Sequence, residues 1–134
     1  MARRSRAREI VLQLLYQLDQ TRQGNAEQEQ QFLARRLQDK ELEAFADQLY
    51  RGTLDHRPEI DAKLAQVAEN WSVERMAAVD RNILRLGAYE LLFAADTPPK
   101  VAIDEAIELA KRYGSADSPA FVNGILDKLA SLKS

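Results

Sequence analysis

"SPAFVNGILDKLASL", residues 118–132, can be read as a hairpin or as a helix, and the choice decides the fold. An Asn-Gly pair such as Asn123-Gly124 marks a tight turn when strands flank it. Here Phe121, Val122, Ile125 and Leu126 keep helical spacing, which predicts a helix running straight through the pair. Ser118 is the expected cap and Pro119 the first helical residue, a position where a missing N–H costs nothing. The preceding "VAIDEAIELAKRYG", residues 101–114, predicts an amphipathic helix closed by Gly114 in a left-handed position. Gly124 is expected to admit a close neighbouring helix, with the close approach of a bound partner's backbone as the alternative.

Upstream, "VERMAAVDRNILRLGAYELLFAAD" (73–96) carries Met76, Val79, Ile83, Leu84, Leu86, Leu91 and Leu92, enough for a long, largely buried helix. Ser72 is a candidate cap, a break is expected near Ala78 to Asp80 with Asp80 as cap, and "DTPPK" stops the helix. Pro58 opens the helix before it, which has Leu64, Val67 and Ala68 as its apolar face. Nearer the N-terminus, Ala7, Ile10, Val11, Leu14, Leu15 and Leu18 define a helix from about Ser5 to Gln20. Two more helices follow, at about 27–37 (Phe32, Leu33, Leu37) and 41–55 (Leu42, Phe45, Ala46, Leu49, Leu54). No alternating strand and no internal repeat interrupts the series. The prediction is an all-α domain of six to seven helices in two small packed bundles, about 1–57 and 58–134.

Lys and Arg number 19 against 21 Asp and Glu, for a net charge of −2. The first eight residues hold four arginines and no acid, so the remainder carries −6 and a polyanion would be steered to one end of the chain. The chain has no cysteine, which removes thiolate nucleophiles, disulfides and cysteine zinc sites. With no stretch long enough to span a membrane and no signal-peptide pattern, a cytoplasmic location is expected.

Arg3, Arg4, Arg6 and Arg8 supply planar donors suited to phosphate oxygens. Positive charge at a helix N-terminus opposes the macrodipole by ~0.3 to 1 kcal/mol per charge, so four of them point to an anionic partner, although a solvated tail is the competing account. Single-stranded RNA fits better than duplex DNA, because no basic recognition helix is present. The start of the last helix offers amides at Ser118 and Pro119 for a phosphate and Phe121 for stacking or for the core. Trp71 and Tyr50 are expected as core or packing residues, and His56 beside helix-terminal carbonyls. Asp104 and Glu105 are expected as solvated surface, because adjacent helical side chains diverge and no nucleophile accompanies them.

"RRSRAREIVLQLLYQ", "NWSVERMAAVDRNILRLGAYEL" and "PKVAIDEAIELAKRYGSADSPAFVNGILDKLA" together resemble the N-terminal, central and C-terminal signatures of the NusB family. The resemblance implies a non-catalytic antitermination factor without cofactor or metal. Such a factor binds boxA RNA of ribosomal RNA leader transcripts with NusE, a small-subunit ribosomal protein. It joins NusA, NusG and RNA polymerase, and some members form homodimers. By motif, Arg3, Arg4, Arg6, Arg8, Phe121 and Asn123 fall to RNA, beside Ser118 at the helix start, and Tyr16, Asp80 and Glu90 are the candidates for NusE. The chain departs from the family pattern at Ala120, where lysine is common, at Asp104 for asparagine and at Gly87 for alanine. A protein-only adaptor or homodimeric regulator is the alternative function. A ribosomal RNA methyltransferase, which can carry a similar N-terminal domain, would need a catalytic cysteine and a cofactor-binding α/β domain.

Overall fold

The computed structural model describes residues 2–69 and 71–133. Among them are seven α-helices, one 3₁₀ turn and no strand. The chain separates into two compact units, Met1–Gly52 and Thr53–Ser134.

In the first unit α1 spans Ala2–Thr21, so it begins before Ser5 and all four arginines are helical. Alanine and arginine are strong helix formers, and no glycine or proline breaks this stretch. Ala7, Ile10, Val11, Leu14 and Leu15 are buried, as their spacing predicts. α2 (Ala26–Leu37) starts at Asn25, whose side chain accepts the Gln28 N–H at 2.9 Å, and ends at Gln38 with φ 53°. α3 (Lys40–Asp55) starts at Asp39, whose Oδ1 accepts the Leu42 N–H at 3.1 Å. Tyr50 is fully buried on α3, and its hydroxyl donates to Glu29 Oε2 at 2.7 Å while Arg51 holds Glu29 Oε1 at 3.0 Å. Burial and that bond push the Tyr50 hydroxyl well above the ordinary tyrosine range.

The second unit contains α4 (Arg57–Val67), a 3₁₀ turn (Val73–Arg75), α5 (Ala78–Phe93), α6 (Pro99–Tyr113) and α7 (Ser118–Lys133). Helices α5, α6 and α7 pack against one another, and α4 packs on α5 and α7. The expected break near Ala78 is present, but Asp80 lies in the first turn of α5 and Ala77 occupies the cap position without a side-chain bond. The Arg81 guanidinium ties this junction by donating to the carbonyls of Val73, Glu74 and Met76 at 3.4, 3.2 and 3.1 Å. His56 stacks on Phe93 with ring centroids 4.0 Å apart. No helix among the described residues is long and apolar enough to cross a membrane.

Three glycines have separable roles. Gly114 is not left-handed: its φ of −91° and ψ of −171° are extended. Its lack of a side chain matters because a Cβ there would stand 2.5 Å from Ser118 Cβ and Oγ. Gly87 is the close-approach glycine, since a Cβ would meet Leu126 Cδ1 at 2.9 Å and Ala106 Cβ at 3.3 Å. Gly124 faces open space, with nothing within 4 Å of a built Cβ, so the expected helix packing at that position is absent. Gly124→Ala should therefore raise stability by up to ~1 kcal/mol through helix propensity alone. Gly87→Ala should lower stability by about 1 kcal/mol, because overpacking of ~1 to 3 kcal/mol outweighs the same gain. Urea unfolding of the two variants beside the parent chain checks both signs.

Candidate nucleic-acid interface

The arginines of α1 are not equivalent. Arg3 pairs with Asp39, and Arg6 with Glu9 at 3.3 Å one turn along the helix. Arg4 and Arg8 are one turn apart, and both guanidinium groups lie over the Phe45 ring, 4.3 and 5.2 Å from its centroid. Stacking on an aromatic face leaves the edge donors of a guanidinium available and limits its rotamers, so Arg4 is held ready for an anion. Arg8 is only 4% exposed, which suits a residue that shapes the cluster better than one that meets a phosphate. Arg3, Arg4 and Arg6 are exposed.

Asp39 has two separate jobs: Oδ1 caps α3 and Oδ2 neutralises Arg3. The ion pair is largely solvated and is worth at most ~1 kcal/mol, so a phosphate can displace it. Neither Phe45 nor Asp39 was identified from sequence as part of the arginine site. Asp39 precedes an acid-rich first turn, which signals a cap, but nothing local signals its contact with Arg3.

At the start of α7 the amides are fewer than expected. Ser118 donates its N–H to the Ser115 carbonyl at 3.1 Å, and Pro119 has none. The Ser118 hydroxyl turns inward to accept the Ser115 N–H at 2.9 Å, and the residue is 1% exposed. Asp117 occupies the cap position, its carbonyl accepting the Phe121 N–H at 3.1 Å, and Ser118 holds the turn together. Phe121 is half-buried at the flank of the core, and Asn123 is exposed. Two positions along a helix project about 200° apart, so these residues stand on opposite sides of α7.

Trp71 overturns its expected core role. It is 54% exposed, with its ring edge-on to Phe121 at 5.8 Å and 74°. Of the candidates for a protein partner, Tyr16 is 40% exposed on α1 and Asp80 is half-buried. Glu90 is corrected: it is 1% exposed and accepts the Thr97 hydroxyl at 3.2 Å, which leaves no surface for a partner. Asp104 is exposed and pairs with Lys100 at 3.0 Å on the surface of α6. No group of three or more metal-ligating side chains occurs among the described residues.

Residues 5–131 match the NusB family. The transcription antitermination protein NusB of Geobacter sulfurreducens is 48% identical over 136 residues, covering 98% of this chain and 96% of that one. Among solved structures, T. maritima NusB is 43% identical with a TM-score of 0.85, covering 96% of this chain and 90% of that one. A chain in a crystal structure of the antitermination factors NusB and NusE with double-stranded RNA is 27% identical, with a TM-score of 0.88 and 98% coverage of both chains. An all-helical protein with these signatures is a non-catalytic regulator of transcription. The chain belongs to the NusB family of transcription antitermination proteins.

Asp39→Asn removes the charge opposite Arg3 while an amide oxygen can still cap α3. It should tighten binding of a single-stranded RNA oligonucleotide a few-fold at low salt and leave helicity unchanged, as read by anisotropy and circular dichroism.

Proposed function

We propose that this protein binds boxA-type single-stranded RNA of ribosomal RNA leader transcripts together with NusE, and so joins NusA, NusG and RNA polymerase in a cytoplasmic antitermination complex. Membership of the NusB family across residues 5–131 is the observation that carries this reading. The solved complex of NusB and NusE with double-stranded RNA, which contains a similar chain, supports NusE and RNA as partner classes.

On this reading Arg3, Arg4 and Arg6 contact phosphates, and Arg8 holds Phe45 and its neighbours in place. Phe121 supplies a ring for a base, Asn123 offers a polar contact on the other flank of α7, and Ser118 fixes the turn. Tyr16 and Asp80 face NusE. Ala120 is exposed where the family pattern commonly has lysine, so one phosphate contact is missing and NusE contributes more to complex formation.

The test is fluorescence anisotropy of a short boxA-type RNA with and without NusE over a salt series. Binding should strengthen with NusE and weaken with salt. Replacing Arg3 and Arg4 by alanine should reduce the log–log salt slope by roughly 1.4, the value for two lost phosphate contacts on a single strand. Ala120→Lys should add about 0.7 to that slope and tighten binding without NusE. Absence of binding in every condition, with dimers in light scattering, would instead favour the protein-only regulator.

A further inference from the structure

Trp71 is the only tryptophan in the chain and is more than half exposed. A large, stiff apolar ring left in water is a common mark of a contact surface, since it presents area at little cost in side-chain entropy. Its intramolecular ring contact is edge-on to Phe121, and a T-shaped pair of this kind covers at most one face of the indole. The Phe121 ring in turn is only half-buried.

A second, independent feature lies beside it. Phe121, Gly124 and Lys128 follow one another at spacings of three and four, so they line one side of α7. Gly124 is exposed and faces open space, which leaves a smooth strip of backbone between an aromatic ring and an exposed cation. No packing within the fold requires a glycine there. An exposed helical glycine that the fold does not need is explained by something that approaches the helix closely from outside. Asp117 lies on the same side one turn before Phe121 and repels phosphate, whereas Lys128 attracts it, which gives the strip a direction.

We propose that Trp71 offers the open face of its indole as a stacking platform for one unpaired nucleobase of bound RNA, beside the Phe121 ring that meets it edge-on, with the attached sugar-phosphate passing over Gly124 toward Lys128. This deepens the RNA-binding reading and rests on it. Base stacking tolerates any base, and Lys128 adds a point charge for one phosphate, so the platform suits a single strand whose bases are splayed out.

Trp71 is its own probe. In a titration of the full chain with boxA-type RNA and NusE, anisotropy of the labelled RNA reports binding, and indole emission reports stacking. Saturating RNA should quench Trp71. Trp71→Ala should weaken RNA binding about ten-fold with an unchanged salt slope, whereas Trp71→Phe should recover part of the loss. Lys128→Ala should lower the slope by about 0.7, the value for one phosphate. Gly124→Leu should weaken RNA binding while the melting temperature holds or rises. RNA binding by anisotropy with unquenched Trp71 and unaffected Trp71→Ala would overturn the platform and leave the RNA reading standing. Quenching by NusE alone, with no further change on adding RNA, would overturn it in favour of a protein contact. Absence of RNA binding by the parent chain would overturn both.

Discussion

The second unit depends on one constraint: α5 is buried on every side from Asn82 to Leu91. A helix without a solvent face has to satisfy each polar side chain internally, and those partners fix what surrounds it. Asn82 donates back to the Ala78 carbonyl at 2.8 Å. Arg85 forks onto both Asp61 oxygens, at 2.9 and 3.0 Å, and so sets the position of α4. Glu90 binds Thr97 and fixes the turn into α6. Removing one member of such a pair strands the other, at about 3 to 5 kcal/mol for a buried charge. Arg81 anchors the 3₁₀ turn that follows Trp71, and Gly87 sets the distance to α6 and α7. Trp71, just before that turn, and Phe121, on α7, are therefore both positioned through groups on α5.

What the sequence made legible was local and periodic. The stripe from Ala7 to Leu15, the helix through Asn123-Gly124 and the break before α5 follow from spacing, because a helix settles where its apolar face is buried. Single-residue environments were not legible in the same way. Trp71 is large and apolar, which suggests a core residue, yet it lies just before the 3₁₀ turn and outside any periodic face. Glu90 and Ser118 are polar, which suggests surface, yet both are buried against partners seven and three residues away. Gly114 and Gly124 are identical in the sequence, and only their three-dimensional neighbours show that one excludes a clash with Ser118 while the other excludes nothing.

The arginine cluster shows the same limit. Four arginines in eight residues announce an anion site, but not how the like charges are held together. In the structure Asp39 and Glu9 each neutralise one of them, and Phe45 offers its ring face to the other two. The arrangement lowers mutual repulsion at the N-terminal end of α1, where the macrodipole adds to it. On the proposed reading a phosphate takes the place of the exposed Asp39 carboxylate at Arg3 and releases that carboxylate to solvent, so the pair opposes binding by a small amount. Arg8, which burial removes from that exchange, is the member whose loss would disturb the packing of the others.

Phosphate contacts supply affinity but carry no sequence information, so on the proposed reading selectivity has to come from groups that touch bases. The charge balance of this chain sharpens the point. Away from its first eight residues it carries −6, and Ala120 withholds a cation at the start of α7. One phosphate contact on a single strand is worth about 1 kcal/mol at physiological salt, from a slope of ~0.7 per contact. A base stacked on an aromatic side chain contributes ~1 to 3 kcal/mol, and that contribution survives high salt. A ring at Trp71 thus more than offsets a missing lysine at Ala120. On the proposed reading it also shifts the balance of binding from screened charge to unscreened contact, because the net charge of the chain opposes a polyanion.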